Sequence, residues 1–261
     1  TEGTLGLAAR NYCVRTNRPF TTSLHTKFPE YVHARFRVPV RWTYALMRWF
    51  HARSQSVMVA TRTLEQELRA RGFKNLRIWS RGVDTDRFRP GAKAWLDLPR
   101  PVFLYVGRVA IEKNIEAFLN LDLPGSKLVI GDGPQMTELQ QRFPRVVFAG
   151  PKFSADLARY YAASDVFVFP SRTDTFGLVV LEALASGVPV AAFPVLGPKD
   201  IIADAPVGAL SDDLREAALR ALTMKPEDCR AFAEGFSWRA CTEQFLGNLA
   251  IGPAVKTAPL N

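Results

Sequence analysis

The stretch RTDTFGLVVLEALASGVPVAA, residues 172–192, decides how the rest of the chain is read. It is nearly all apolar, yet Asp174 stands just before the run and Glu182 stands inside it. A membrane span needs about 20 apolar residues without breakers. Here Gly187 and Pro189 cut the run in two. The first piece, FGLVVLEALAS (176–186), has the length and residue types of a helix. The second, VPVAAF (188–193), is short, β-branched and bounded by Gly and Pro, the marks of a buried strand. The stretch is therefore a helix feeding a core strand of an α/β protein. Glu is rarely buried without a partner, so a polar group is expected to meet Glu182.

The same alternation extends outward. PVFLYV (101–106), SKLVI (126–130), RVVFA (145–149) and DVFVFP (165–170) read as strands. IEAFLNL (115–121), PQMTELQQRF (134–143) and SADLARYYAAS (154–164) read as the helices between them. Strands rich in Val and Phe that alternate with helices specify a parallel sheet covered on both faces. In such a doubly wound domain, ligands lie beyond the carboxyl ends of the strands. The first third repeats the pattern with less of it. LGLAARNYCVR (5–15), VRWTYALMRWFHAR (40–53) and TLEQELRARG (63–72) are helical. FTTSL (20–24), SVMVA (56–60) and LRIWS (76–80) make a small parallel sheet. Three strands are few for such a domain, and the chain enters almost directly into a helix at Thr1, so this domain is expected to be incomplete at its start. The segment 81–100, rich in Pro, Gly and charge, reads as an interdomain linker. The expected organisation is a partial amino-terminal domain over 1–88, a second domain over 89–236, and a carboxyl-terminal helix and tail over 237–261 that packs back toward the first.

Composition narrows the classes. Hydrophobic content of 48% with 23% charge belongs to a globular chain, not a disordered one. No signal-peptide pattern of basic start, apolar core and small-residue cleavage site is present. Three scattered cysteines, Cys13, Cys229 and Cys241, suit neither a disulfide framework nor a metal site, and point to a reducing cytoplasm. The net charge of +9 is uneven: residues 1–89 hold 17 Lys/Arg against 6 Asp/Glu, and residues 90–261 hold 17 against 19. Such asymmetry suggests a polyanionic surface as partner. The segment 33–53, HARFRVPVRWTYALMRWFHAR, interleaves five arginines with Trp42, Trp49 and Phe50, which suits an anionic membrane surface. The alternative is a helix with an ordinary solvated face. Nucleic acid is disfavoured, because no recognition module accompanies the charge.

The strand ends carry the chemistry. After 101–106 comes GRVAIEKN, where Gly107 allows close backbone approach. Arg108 and Lys113 flank a short loop into a helix, an arrangement suited to a diphosphate or, equally, two solvated surface cations. After 126–130 comes GDGP, where Gly131 and Gly133 fit a tight turn and Pro134 the first helical position. This is no dinucleotide fingerprint, because Met136 stands where the third glycine belongs, and no P-loop occurs. After 165–170 comes SRTDTFG. Asp174 or Thr175 can cap the following helix. With the helix starting near Phe176, Asp174 and Glu182 both look toward the strand-end crevice, and the amides of Thr175, Phe176 and Gly177 are free for a ligand. Asp84-Thr85-Asp86 spells the D-x-D of metal-dependent transferases, but it lies in the linker and reads as turn chemistry.

GRVAIEK, GDGP and the acid-x7-Glu stretch DTFGLVVLE together resemble the donor half of a retaining glycosyltransferase of the two-Rossmann-domain (GT-B) type, family 4. SRGVDTDRFRP resembles that family's interdomain hallmark, and TTSLHTKFPEY the His-bearing loop of its acceptor domain. The branch nearest in pattern holds lipid α-mannosyltransferases and sulfoquinovosyl transferases. The resemblance implies an α/β fold of two Rossmann-like domains facing a cleft. It implies transfer of a hexose from GDP-mannose or a UDP-sugar to a lipid or glycan acceptor, without a metal or other cofactor, at the inner face of the cytoplasmic membrane. It gives Arg108 and Lys113 the donor diphosphate, Glu182 the ribose diol, Asp174 the hydroxyls of the transferred sugar, and His25 a place beside the reacting sugar. Gly107, Gly131, Gly133, Phe176, Gly177 and Leu178 would complete the donor site. Asp174 stands where many members have Glu, one methylene longer. The competing expectations are a nucleotide-sugar-binding protein without turnover and a GT-B nucleotide-sugar epimerase. A glycan phosphorylase would need a cofactor lysine site, for which no motif is found.

Overall fold

A computed structural model describes residues 3–24, 29, 32, 36–172, 176–202 and 204–250. The chain divides into two compact units, Thr1–Ser80 with Cys241–Asn261, and Arg81–Ala240.

In the first unit the order is α1 (Thr4–Arg15), β1 (Thr21–Leu24), α2 (Val40–His51), β2 (Ser56–Val59), α3 (Arg62–Ala70) and β3 (Leu76–Ile78). The strands form a parallel sheet in the order β1-β2-β3. Central β2 is buried along its whole length, as a strand covered on both faces must be. α3 starts where Thr61 accepts a hydrogen bond from the Leu64 amide at 3.2 Å. That cap is worth about 1 kcal/mol.

The second unit contains β4 (Val102–Val106), a 3-10 turn (Ile111–Lys113), α4 (Ile115–Leu119), β5 (Ser126–Ile130), α5 (Met136–Arg142), β6 (Val147–Phe148) and α6 (Ser154–Ala163). It continues through β7 (Val166–Phe169), α7 (Leu178–Ala185), β8 (Val190–Ala192), α8 (Pro198–Ile202), β9 (Gly208–Leu210), α9 (Leu214–Ala221) and α10 (Pro226–Glu234). All its strands are parallel, in the order β6-β5-β4-β7-β8-β9. The order reverses between β4 and β7, and that switch point is where a doubly wound sheet opens a ligand crevice. In the core beneath it, Phe103, Phe118, Val129, Val166 and Val168 are all fully buried. Each such side chain contributes about 1.5–3 kcal/mol by leaving water. At the base of the switch point, Asp165 accepts hydrogen bonds from Lys93 Nζ (2.9 Å), the Arg100 guanidinium and the Val102 amide (2.8 Å).

The last helix, α11 (Trp238–Asn248), is tied to the first unit's strands through its later residues. Asn248 Nδ2 donates to Ile78 O at 2.7 Å, Ser56 Oγ donates to Asn248 O at 2.6 Å, and the Ser80 amide donates to Gln244 Oε1 at 3.0 Å.

The segment 81–100 differs from the linker its composition suggests. It belongs to the second unit. Val83 is buried and its amide donates to Phe236 O at 2.8 Å. Phe88 is buried edge-on to Tyr161, with 5.7 Å between ring centres. Arg230 on α10 donates to the carbonyls of Thr85, Phe88 and Ala185. Two apolar anchors five residues apart, set among polar neighbours, leave no periodic signal. They suffice to lay the segment onto the domain.

Candidate functional site

The loop after β4 is shaped by its own strand and by the one beside it. Gly107 has φ +156, and a Cβ there would come within 3.0 Å of the Tyr105 hydroxyl oxygen. The Gly107 amide donates to Ile130 O at 3.0 Å, and Tyr105 Oη donates to Arg108 O at 2.7 Å. The loop then tightens into the 3-10 turn ending at Lys113. Asn114 comes next in the left-handed region (φ 52), and its Nδ2 donates to Pro170 O at 3.0 Å. That bond ties the loop after β4 to the one after β7 across the switch point.

Between these loops lies a crevice of about 370 Å³. Arg81, Gly107, Arg108, Lys113, Ser171, Phe176, Gly177 and Leu178 line it with Tyr105, Val106, Phe169 and Val179. Among the described lining residues there are three cations and no carboxylate. Arg108 is 64% exposed and sits 3.3 Å from Glu112 Oε1, an i,i+4 pair on the surface. Such a pair is worth under about 1 kcal/mol, so the guanidinium is available to a stronger anionic partner.

α7 begins at Leu178, not near Phe176 as the sequence pattern suggests. Gly177 takes the cap position with φ +86 and no side-chain cap bond. This moves the cap away from Asp174 and Thr175, which lie outside the described residues. Glu182 is not among the described residues that line the crevice. It borders a second cavity of about 310 Å³, lined by Gly82, Val83, Asp84, Arg87, Phe88, Leu178 and Trp238. Only Leu178 is shared with the crevice among the described lining residues. The polar partner expected for Glu182 is Tyr161, whose fully buried hydroxyl donates to Glu182 Oε2 at 2.9 Å. Burial pushes the Glu182 carboxyl above its usual range, and the bond from Tyr161 offsets part of that rise. Burial, and then the neighbouring carboxylate, push the Tyr161 phenol well up in turn.

Gly131 and Gly133 do not line the crevice. A Cβ on Gly131 would lie 1.8 Å from Gly107 O, and one on Gly133 would lie 2.2 Å from Val109 O. At both glycines the loop after β5 crosses the backbone of the loop after β4 at contact distance, which leaves no room for a Cβ. In Asp84-Thr85-Asp86, Asp84 Oδ1 accepts from the Arg87 amide at 3.0 Å, a turn bond.

The structure therefore brings together Gly107, Arg108, Lys113, Phe176, Gly177 and Leu178. It sets Glu182 in the adjoining cavity and Gly131 and Gly133 behind the loop. His25 and Asp174, both expected at the site, lie outside the described residues. Arg81 and Ser171 line the crevice although the sequence pattern does not single them out. Arg81 is legible in principle, as the first residue of RGVDTDRF within a recognisable hallmark, but a linker-like composition hides it. Ser171 carries no signal of its own.

Comparison with known proteins bears on what these features serve. Residues 100–237 match the family "Glycosyl transferases group 1", and residues 1–87 match "Glycosyltransferase Family 4". A GDP-mannose-dependent alpha-mannosyltransferase of Mycobacterium tuberculosis is 30% identical, over 94% of this chain and 69% of its own length. Sulfoquinovosyl transferase SQD2 of Arabidopsis thaliana is also 30% identical, over 86% of this chain but only 50% of its own length. The chain thus spans from half to about two thirds of these relatives. Among solved structures, Anabaena HepE in complex with UDP superimposes with a TM-score of 0.76 at 16% identity, covering 93% of this chain and 75% of that one. That likeness shows the GT-B fold of two Rossmann-like domains. The parallel sheets, the reversal of strand order and the two family matches agree, and the chain belongs to the glycosyl transferases group 1 family.

Proposed function

We propose that this chain carries the catalytic machinery of a retaining glycosyltransferase that moves a hexose from a nucleotide-diphosphate sugar to a lipid or glycan acceptor. The observation that carries the reading is the crevice at the switch point, with cations and no carboxylate among its described lining residues. Arg108 and Lys113 bind the donor diphosphate there and stabilise the charge that grows on it as the glycosidic bond breaks. The two cations supply this electrostatic assistance without a metal. Phe176, Gly177 and Leu178 present main chain at the start of α7, and Glu182 accepts hydrogen bonds from the ribose hydroxyls. Family resemblance adds Asp174 as the contact to the transferred sugar and His25 as the group beside the reacting carbon. The relatives' names favour GDP-mannose, or the UDP-sugar class, as donor.

The lipid acceptor and a membrane-peripheral location are supported by α2, and the cytoplasmic side by the family resemblance alone. Its buried face carries Thr43, Tyr44, Met47 and Phe50, while Trp42, Leu46 and Trp49 stand exposed beside Arg41. Arg10 of α1 lies 4.1 Å over the Trp49 ring and donates to Phe50 O at 2.8 Å. Exposed tryptophans flanked by arginines suit the boundary between headgroups and acyl chains. No helix among the described residues is long and apolar enough to cross a membrane.

The test is calorimetric titration of the chain with GDP, UDP and ADP in the absence of metal. Binding of one of them, with Glu182→Ala weakening it while the protein stays folded, is the expected result. No binding by a folded sample sinks the proposal.

A further inference from the structure

Two of the crevice's cations, Arg108 and Lys113, come from the loop after β4, and the third comes from elsewhere in the chain. Arg81 leads the segment that lies against α10 and the start of α11, and its backbone is fixed by the contacts of residues 82–88. A Cβ on Gly82 would lie 2.8 Å from the Trp238 ring and 3.0 Å from Trp238 Cα, so the chain runs in direct contact with that residue. Val83 pairs with Ser237 in a parallel bridge, and its amide donates to Phe236 O at 2.8 Å. Arg230 clasps the carbonyls of Thr85 and Phe88 at 2.8 and 2.9 Å. A side chain that projects from so constrained a backbone gives up less freedom on binding than one on a free loop. Arg81 lines a space that it shares with Arg108 and Lys113 and whose described walls hold no acid, so the local field favours an anion.

We infer that Arg81 is a third phosphate-binding group of this site, reaching the same nucleoside diphosphate as Arg108 and Lys113 from a second segment of the chain. The inference rests on the donor-site reading. The chemistry fits: a nucleoside diphosphate presents several anionic oxygens, and a planar guanidinium takes two of them in parallel. Arg81 then contributes to the preference for a diphosphate over the bare nucleoside.

The experiment compares wild type, Arg81→Ala and Arg81→Lys in the full chain, titrated with GDP and UDP and with guanosine and uridine. Loss of one charged hydrogen-bonding group predicts a tenfold to roughly hundredfold weaker diphosphate affinity in R81A, with nucleoside affinity unchanged. R81K, which keeps the charge and loses the fork, falls between. Should R81A fail to fold, the comparison with R81K alone carries the same sign. Diphosphate affinity equal to wild type overturns the inference, as does an equal loss for the nucleoside, which would make Arg81 a purely structural residue. The double variant Arg108→Ala with Lys113→Ala separates the two levels. If it loses the diphosphate while R81A does not, the donor reading stands and only the role of Arg81 fails. If wild type binds neither GDP nor UDP, both fail together.

Discussion

The crevice and the cavity that adjoins it at Leu178 handle charge in opposite ways. In the crevice the described ionic groups are cations, and Arg108 is solvated and weakly paired. In the cavity Glu182 is half-buried and held by the fully buried Tyr161 hydroxyl. A solvated cation changes partners at little cost, so it can track an anion that arrives, reacts and leaves. A carboxylate held by a buried phenol keeps its direction, and its remaining lone pairs suit neutral donors such as sugar hydroxyls. On the function proposed above, a few residues separate a place for phosphate from a place for hydroxyls, with the start of α7 between them.

The largest test of that contrast removes two of the crevice cations. Arg108→Ala with Lys113→Ala should weaken nucleoside diphosphate binding at least a hundredfold, because two charged contacts of about 1.5–3 kcal/mol each are lost. A loss below tenfold in calorimetry would mean the crevice is not the phosphate site. Next, Gly131→Ala should destabilise the protein by about 3 kcal/mol in thermal or chemical unfolding, because its Cβ would collide with Gly107 O. A stable G131A that merely binds donor less well would show that Gly131 serves the ligand and not the packing of the two loops. A smaller effect, about 1–2 kcal/mol after allowance for solvent around its partners, is expected for Asp165→Asn. Burial alone would raise the Asp165 carboxyl, but the bonds from Arg100, Lys93 and the Val102 amide override it and hold it below 3.8. Its contribution is therefore present above that value and lost as pH falls through the lower folded one. D165N should unfold with less acid sensitivity than wild type and bind nucleotide undiminished if it acts only on the scaffold.

The smallest and most diagnostic effect concerns Glu182. Its folded carboxyl titrates above the ordinary 4.5, so the native state holds a proton that the unfolded chain has lost. Stability then falls as pH rises from about that value toward the raised one. Glu182→Gln should remove this slope and change stability by under about 1 kcal/mol near neutrality, while Tyr161→Phe should extend it to higher pH, because the bond that favours the charged form is gone. Identical pH profiles for wild type and E182Q would break the contrast between the two cavities.

Much of the second unit can be read from the residues, because β-branched strands between helices leave a periodic trace. Yet β9 escapes notice: Gly208, Ala209 and Leu210 offer too little bulk to mark a strand, and it forms because β8 presents an edge to pair with. Arg108 and Lys113 are legible because a motif surrounds them. The surroundings of Glu182 are not, because the cavity it borders is walled by Gly82, Val83, Asp84, Arg87, Phe88 and Trp238, all distant from it in the chain. GDGP illustrates the reverse. Its glycines announce a close approach, and the structure shows one partner of that approach, the protein's own Gly107 and Val109 backbone. Arg81 and the anchors Val83 and Phe88 sit inside a composition typical of linkers, and burial of the two anchors, which composition does not encode, is what sets the segment apart.

Arg230 has a consequence for how this protein opens. Its Nη1 reaches Thr85 O, Phe88 O and Ala185 O at 2.8, 2.9 and 3.1 Å, partners separated from it by 145, 142 and 45 positions. The 81–90 segment cannot peel away without stranding a guanidinium and several carbonyls together. Fraying of that segment is therefore coupled to release of the end of α7. In native-state hydrogen exchange the amides of Val83 and Phe88, bonded to Phe236 O and Asp84 O, belong to the same cooperative unit as the helix that carries Glu182.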